Sequence, residues 1–495
     1  MNQLSLNDKL NALAGQLGSL LPEGALVLLL LTLLVINAIR RGRPGTIYGY
    51  LAGAGLLTTF ILQILQPTGS DTGIFANLLV HDSHAAFVRL LSPLAGLLTV
   101  GWSMAHSGAV FRQKVEYYAL LIGLVLGAMV LSAATHLLSI YLALELLSLS
   151  AYLATHLRED KAGAESSFKY LVFGAINSAF LLYSLSWVYG LTGTLHLLAP
   201  ELWEALAAQP LAAQVVLAVG VTLGVAFKIS AAPGHLWAPD VYETAPLPMV
   251  AFFSVVPKVA AATLLLRLGL NLSSASFLQP YFFTLWPLLI SATLLVGNLA
   301  ALSQRRAMRL MAYSSIAHSG FLLLAALPIA LGNADPFRLY AVVYLVMNFS
   351  TFGLIQYAQG QTGTDDIRGW KGLGLHLPTL GVMMLVAMIS LVGLPPTAGF
   401  MAKLLALAGS YAVYEQTGGI WVAIAALIGL FSTVLSLFYY LRIPFFLFFK
   451  KNENFVTKSP SITYLLVTVG LLTLGLVIGF FRSDLVLAAV NTLLS

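Results

Sequence analysis

The stretch FKISAAPGHLWAPDVYETAPLPMVAFFSVVPKVAA, residues 227–261, places two lysines, Lys228 and Lys258, in apolar surroundings punctuated by prolines. Upstream it continues LAAQVVLAVGVTLGVA (211–226), and downstream it runs into ATLLL (262–266). About 20 mostly apolar residues are what a helix needs to cross the hydrocarbon core of a bilayer. The stretch therefore reads as the end of one spanning helix, an interruption at Pro233-Gly234 and Pro239, and the start of a second helix. Proline removes a backbone hydrogen bond, so the first of these helices is expected to be broken. Each helix carries a lysine at a depth where lipid tails would lie.

The same pattern extends over the whole chain. Apolar runs separated by charges, glycine and proline predict about fourteen spans. The first seven are 21–39, 46–66, 85–106, 116–134, 137–156, 167–190 and 211–240. The others are 246–271, 281–303, 307–331, 336–358, 377–411, 419–441 and 462–481. The fourth and fifth are separated only by a very short link at Thr135-His136. Residues are 59% hydrophobic and 9% charged, with a mean hydropathy of +0.89. A soluble domain carries about 25% charged residues, so this chain cannot cover a water-facing surface. The fold class is thus all-α integral membrane, one domain of 495 residues with no polar break. Within it the expected parts are three N-terminal helices (1–110), a first half (111–275), a second half (276–445) and a C-terminal helix (446–495). Residues 1–20 read as a short amphipathic lead-in rather than a cleavable signal.

Charge placement sets an orientation. With the N-terminus outside, the cytoplasmic loops hold sixteen basic residues: Arg40, Arg41, Arg43, Arg112, Lys114, Arg158, Lys161, Arg305, Arg306, Arg309, Arg368, Lys371, Arg442, Lys450, Lys451 and Lys458. The opposite side holds five: Lys9, Arg89, Arg267, Arg338 and Arg482. Cytoplasmic loops are the basic ones, which puts the N-terminus on the periplasmic side. Basic residues scattered over many short loops also argue against nucleic acid. There are no cysteines, which excludes disulfides, iron–sulfur ligation and a thiol nucleophile. No phosphate-binding glycine motif stands between a strand and a helix. The driving force for any transport must come from an ion gradient or a partner protein.

Four basic residues remain inside the spans: Lys169, Lys228, Lys258 and Lys403. Among the acids, the one expected within a span is Glu145. A charge near the bilayer centre costs ~2.5–3.5 kcal/mol on insertion scales and usually marks an ion path or proton relay. Lys258 lies about twelve residues into its span, roughly 18 Å at 1.5 Å per residue, too deep to reach water by snorkelling. Lys169 is shallow enough to do so. Structural pairing could account for one lysine, since one carboxylate cannot neutralise several ammonium groups. Lysine also suits a relay because its affinity for a proton changes with burial and with nearby carboxylates, whereas arginine stays charged. His235 and His318 are packing histidines when taken singly, and relay candidates beside the lysines. The twelfth span is broken at Gly393-Leu394-Pro395-Pro396 ahead of Lys403, as the seventh is at Pro233 after Lys228. Interrupted helices in corresponding places of two halves point to inverted repeats and ion sites, here helices 4–8 and 9–13.

The quoted stretch resembles the antiporter-like subunits of respiratory complex I and of multisubunit cation/proton antiporters. Supporting motifs are LALELLSLSAYL around Glu145, ESSFKYLVFGA around Lys169, RRAMRLMAYSSIAHSG and LVGLPPTAGFMAK. The resemblance covers nearly the whole chain. It implies that Glu145 partners Lys228, that Lys258 is the central relay lysine, and that Lys403 completes the path. Lys169 would be an accessory near Glu145, and His235 would link the charged axis. It also implies no cofactor in this chain; NADH, FMN, iron–sulfur clusters and quinone would belong to partner subunits. The partners implied are other membrane-arm subunits, among them a neighbouring antiporter-like subunit and small helical subunits, and the lipid bilayer. The implied location is a bacterial inner membrane. The competing readings are a sodium/proton antiporter subunit, a plastid relative with another electron donor, and a scaffold whose lysines are inert.

Overall fold

Helices follow wherever the apolar runs were read. The computed structural model describes residues 16–66, 70–75, 77–105, 114–158, 160–274, 279–450 and 463–494. Lys9, Arg112, Lys451, Lys458 and most of the N-terminal lead-in lie outside the described residues. In chain order come α1 (Leu21–Ile39), α2 (Ile47–Leu65), a hairpin of β1 (Ser70–Ile74) and β2 (Leu79–His81), α3 (Ser83–Ala105), α4 (Val115–Ala133), α5 (Leu137–Thr155) and α6 (Lys161–Thr192). Next are α7 (Pro200–Ala207), α8 (Leu211–Ile229), α9 (Ala238–Thr244), α10 (Leu247–Ser274), α11 (Gln279–Leu302), α12 (Ala307–Ala326) and α13 (Asp335–Thr362). The chain closes with α14 (Pro378–Val392), α15 (Ala398–Thr417), α16 (Ile420–Tyr440), α17 (Arg442–Phe449), α18 (Thr463–Phe481) and α19 (Ser483–Leu493).

Among the described residues, twelve helices are long and apolar enough to cross a membrane. The pair Leu466–Phe481 and Ser483–Leu493, bent by 100°, brings the number to thirteen. About fourteen are expected from the sequence; the interrupted pair α14 and α15 is the expected span that is not among the thirteen. The short link at Thr135-His136 does separate two helices. It is pinned from outside: Thr135 N–H donates to the Leu78 carbonyl at 3.1 Å, and Leu137 N–H to the Leu195 carbonyl at 2.8 Å. Among the described residues, the hairpin that supplies Leu78 is the one departure from an all-helical reading, because a two-stranded element this short leaves no hydropathy signature.

Burial grades from the middle outward. In the spans beginning at Leu247, Ala307 and Asp335, an 18-residue apolar stretch is 94%, 89% and 83% buried, whereas in those beginning at Leu17, Lys161 and Ile420 it is 28% buried. The outer helices turn leucine and phenylalanine outward, among them Leu28, Phe168, Phe180, Leu427 and Phe438. Lipid tails are as apolar as these side chains, so hydropathy alone cannot sort the inner helices from the outer ones.

One expectation is corrected here. Glu145 is not the sole acid within a span, and Arg89 does not lie in a loop. Glu23, in the first turn of α1, is buried and accepts two hydrogen bonds at 2.7 Å from Arg89 in α3, whose Nη2 also reaches the Ser19 carbonyl. The bidentate fork satisfies both ions out of water. Glu23→Ala strands a buried guanidinium and is expected to destabilise the protein by about 3–5 kcal/mol. Thermal unfolding in detergent checks this, and the double replacement Glu23→Ala/Arg89→Met should recover most of the loss.

Candidate functional site

Both helix breaks occur where proline predicted them. α8 ends at Ile229 and the chain resumes helix at Ala238. Ser230 follows with φ +58 and Trp237 Nε1 donates to the Phe227 carbonyl at 3.1 Å, so the exposed helix end is capped. α14 ends at Val392, Gly393 takes φ +84, and α15 begins at Ala398. A left-handed residue just past a helix is the usual place for glycine, which has no Cβ to clash. Gly399 is required for another reason: a Cβ there would come within 1.9 Å of the Ser390 carbonyl oxygen, so only glycine lets α15 lie against α14.

A broken helix leaves carbonyls without intrahelical partners. Lys403, on α15, supplies them. Its Nζ donates to the Val392 carbonyl at 2.8 Å and the Leu391 carbonyl at 3.0 Å. The C-terminal end of a helix carries partial negative charge and attracts a cation. The same ammonium lies 4.6 Å from the centroid of the Phe321 ring, a second electrostatic contact that needs no carboxylate.

Lys258 is held differently. α12 carries Ser315 and Ser319 four residues apart, hence on one face. Lys258 Nζ donates to Ser315 Oγ at 2.7 Å, the Ser315 carbonyl at 2.9 Å and Ser319 Oγ at 2.9 Å. An ammonium has three protons to donate, and all three are taken by neutral oxygens. Ser319 Oγ then donates at 2.6 Å to the carbonyl of Ile229, the last residue of α8. Ser315 Oγ also bonds the hydroxyls of Tyr242 (3.0 Å) and Tyr344 (2.9 Å). One lysine thus ties α8, α9, α10, α12 and α13 together.

His318 stands on the same helix between the two lysines, and the charges of both act on it. Its Nδ1 is 2.7 Å from the Tyr340 hydroxyl and its Nε2 is 3.1 Å from that of Tyr440. Tyr440 bonds Ser314 in turn, and the imidazole stacks on Tyr344 at 5.0 Å.

Lys228 and Glu145 form no closed pair. Lys228 is buried near the end of α8 with its Nζ over the Tyr152 and Phe227 rings at 5.3 and 5.1 Å and without a hydrogen-bond partner among the described residues. Glu145, half-buried on α5, has one oxygen likewise unpartnered, and its charge is felt at Lys228. The two stand as opposite charges within electrostatic reach but not in contact. Lys169 is drawn elsewhere: its ammonium pairs with Glu165 at 2.8 Å and Asp240 at 3.4 Å near the basic end of the molecule. His235 sits half-buried in the break after α8, next to Pro233-Gly234, with Nδ1 unpartnered, outside the Lys258 network.

The sequence reading named the charged residues and overlooked the neutral ones that connect them: Tyr242, Ser314, Ser315, Ser319, Tyr340, Tyr344 and Tyr440. A signal existed in YSSIAHSGF, where Ser315 and Ser319, like Ser314 and His318, repeat at a spacing of four.

The architecture is that of a multi-pass membrane protein with two interrupted helices and a buried row of lysines. Residues 134–436 match the NADH:quinone oxidoreductase/Mrp antiporter transmembrane family. The chain is 33% identical to NADH-quinone oxidoreductase subunit N of Chlorobium chlorochromatii, across 96% of this chain and 94% of that one. It is also 33% identical to the chloroplastic NAD(P)H-quinone oxidoreductase subunit 2 of Mesostigma viride, over 90% of this chain and 88% of that protein. A chain of the respiratory complex I structure from Thermus thermophilus with bound aureothin superposes with a TM-score of 0.77 at 29% identity, covering 95% of this chain and 99% of that one. The Mrp complex of Dietzia sp. shares the fold, with a TM-score of 0.79 at 19% identity and 97% of each chain covered. The chain belongs to the NADH:quinone oxidoreductase/Mrp antiporter family of membrane subunits.

Proposed function

We propose that this chain is a proton-translocating, antiporter-like membrane subunit of an NADH:quinone oxidoreductase, the membrane-arm component called subunit N in its bacterial relatives. The observation that carries the reading is the Lys258 cluster, in which a fully buried ammonium with no counter-ion among the described residues is hydrogen-bonded through Ser319 to the last carbonyl of α8. A charge held only by dipoles is poised between protonated and neutral states, and small movements of neighbouring charges decide between them. Lys228, Lys258, His318 and Lys403 form the relay. Glu145 approaching or leaving Lys228 is the element that biases it.

The redox step lies with partner subunits that hold NADH, FMN, iron–sulfur clusters and quinone, and its energy reaches this chain as a change of charge near Glu145. The location is a bacterial inner membrane with the N-terminus periplasmic, because the basic loops collect at the other end.

The direct test is Lys228→Ala in the assembled complex, with assembly verified on a native gel. Proton translocation and the NADH oxidation coupled to it should fall together. Both persisting at the ordinary ratio would make Lys228 structural and leave the relay without its first member. A sodium requirement for transport would favour the cation-antiporter reading instead.

A further inference from the structure

On the basic side of the bundle a cavity of about 380 Å³ lies between the end of α11, the loop after α13 and the start of α17. Small-ligand sites commonly measure ~300–1,000 Å³. Arg305, Arg368 and Arg442 line it beside the rings of Phe445 and Phe446. The three arginines come from separate segments, and backbone contacts hold those segments together. Ile367 N–H donates to the Arg305 carbonyl at 3.1 Å, and Gly372 N–H to the Phe446 carbonyl at 3.2 Å. Arg442 closes the set, its Nη1 donating to the Gln304 carbonyl and its Nη2 to the Leu302 carbonyl, both at 2.7 Å.

Their charge is unanswered. Among the described residues none of the three arginines forms an ion pair, whereas Arg306 and Arg309, close by in the chain, are both paired with Glu243. Asp366, in the same loop, accepts from the Arg368 backbone N–H at 2.8 Å rather than from a guanidinium. Arg305 and Arg368 are exposed, and among the described residues their guanidinium groups donate no hydrogen bond. Lys450 adds a further charge, its Nζ 5.5 Å from the centroid of the Phe445 ring. Lys371 adds another, next to the glycine bonded to Phe446. Arginine forks match the oxygens of a phosphate group, two donors at a time.

The position of the cavity selects the kind of phosphate. Leu302 is the last residue of α11 and Arg442 lies just past α16, so the site begins where two spans end. Beyond that point α17 still turns Phe445 and Phe449 outward, 45% and 76% exposed. A soluble anion gains nothing from such rings, whereas acyl chains do. We infer that this cavity binds the phosphate headgroup of an anionic phospholipid, held by Arg305, Arg368 and Arg442 with its acyl chains against the phenylalanines of α17. Basic pockets between membrane helices on the cytoplasmic side attract anionic headgroups in this way. The site shares no residue with the row of buried lysines, and the bound lipid clamps the loop after α13 to α11 and α17.

The test uses the assembled complex in liposomes. The probe is phosphatidylglycerol with a diazirine high on one acyl chain, and adducts are mapped on this chain by mass spectrometry after illumination. Adducts should fall on residues 302–305 and 442–449. Phosphatidylcholine with the same diazirine chain should label those segments at least several-fold less. Arg305→Gln/Arg368→Gln should lower the apparent affinity for phosphatidylglycerol about 30-fold, which is ~2 kcal/mol, as two basic groups near a membrane surface supply. Arg442 is left in place because it also holds the end of α11. Arg305→Lys/Arg368→Lys should keep most of the labelling, and Arg41→Gln/Arg43→Gln, in another basic loop, should keep all of it. Equal labelling by the two lipids, or undiminished labelling in Arg305→Gln/Arg368→Gln, overturns the site. Displacement of the label by inorganic phosphate makes it an anion site without lipid and also overturns it. So does a complex without lipid adducts in which a carbodiimide joins Lys371 or Lys450 to a carboxylate of another subunit, since an acidic protein segment then fills the cavity.

Discussion

Lys258→Met will leave the fold in place and stop proton translocation through this subunit, a loss of at least ~100-fold, the lower end of what a positioned proton-transfer group contributes. Methionine matches the length of the lysine stem and removes a charge from a site that no carboxylate among the described residues balances. Replacing a buried ion by an apolar side chain of similar volume is often neutral or stabilising. The oxygens it leaves behind retain partners: Ser315 Oγ keeps Tyr242 and Tyr344, and Ser319 Oγ still donates to the Ile229 carbonyl. Thermal stability of the complex should therefore change little while pumping disappears. Lys258→Arg sharpens the test, because a guanidinium keeps the charge but does not release its proton. Pumping by either variant at the ordinary yield of protons per NADH oxidised is the result that sinks a relay through α10.

Lys403→Met should fail in both respects. Its ammonium caps the Leu391 and Val392 carbonyls at the open end of α14, so methionine leaves two buried acceptors unmet. Each unmet buried group costs about 1–3 kcal/mol, and the break is expected to shift or the complex to assemble poorly. Lys403→Arg separates structure from transport. Arginine can donate to the same carbonyls, so assembly and melting temperature should stay close to those of the unaltered protein, yet translocation should be lost. If Lys403→Arg pumps normally, Lys403 is a helix cap and the relay ends at His318.

These contrasts show why the two lysines were equally visible in the sequence and not equally understood. Each was found by the same property, a charge within an apolar run. What holds them is different: side-chain hydroxyls of α12 for Lys258, and backbone carbonyls of a helix end for Lys403. Glu145 and Lys228 show the converse. The family resemblance implied that they are partners, and the structure sets them within electrostatic reach without an ion pair. Glu23 and Arg89, both read past, make the tightest buried ion pair among the described residues that has a bidentate geometry. Glu23 lies at the very start of its apolar run, where a loop boundary and a helix interior look alike.

The sequence by itself determined the membrane class, the placement of the spans, the two proline breaks and the buried lysines. All of these follow from local hydropathy and from the cost of putting charge into lipid, which need no knowledge of neighbours. Tertiary structure decided which helices are central, which face of α12 meets Lys258, and that Tyr242 shares the Ser315 hydroxyl with it. Ser315 is 57 residues from Lys258 and 73 from Tyr242. Contacts across such distances depend on helix rotation and packing, and a bilayer makes lipid-facing and protein-facing leucines look the same along the chain.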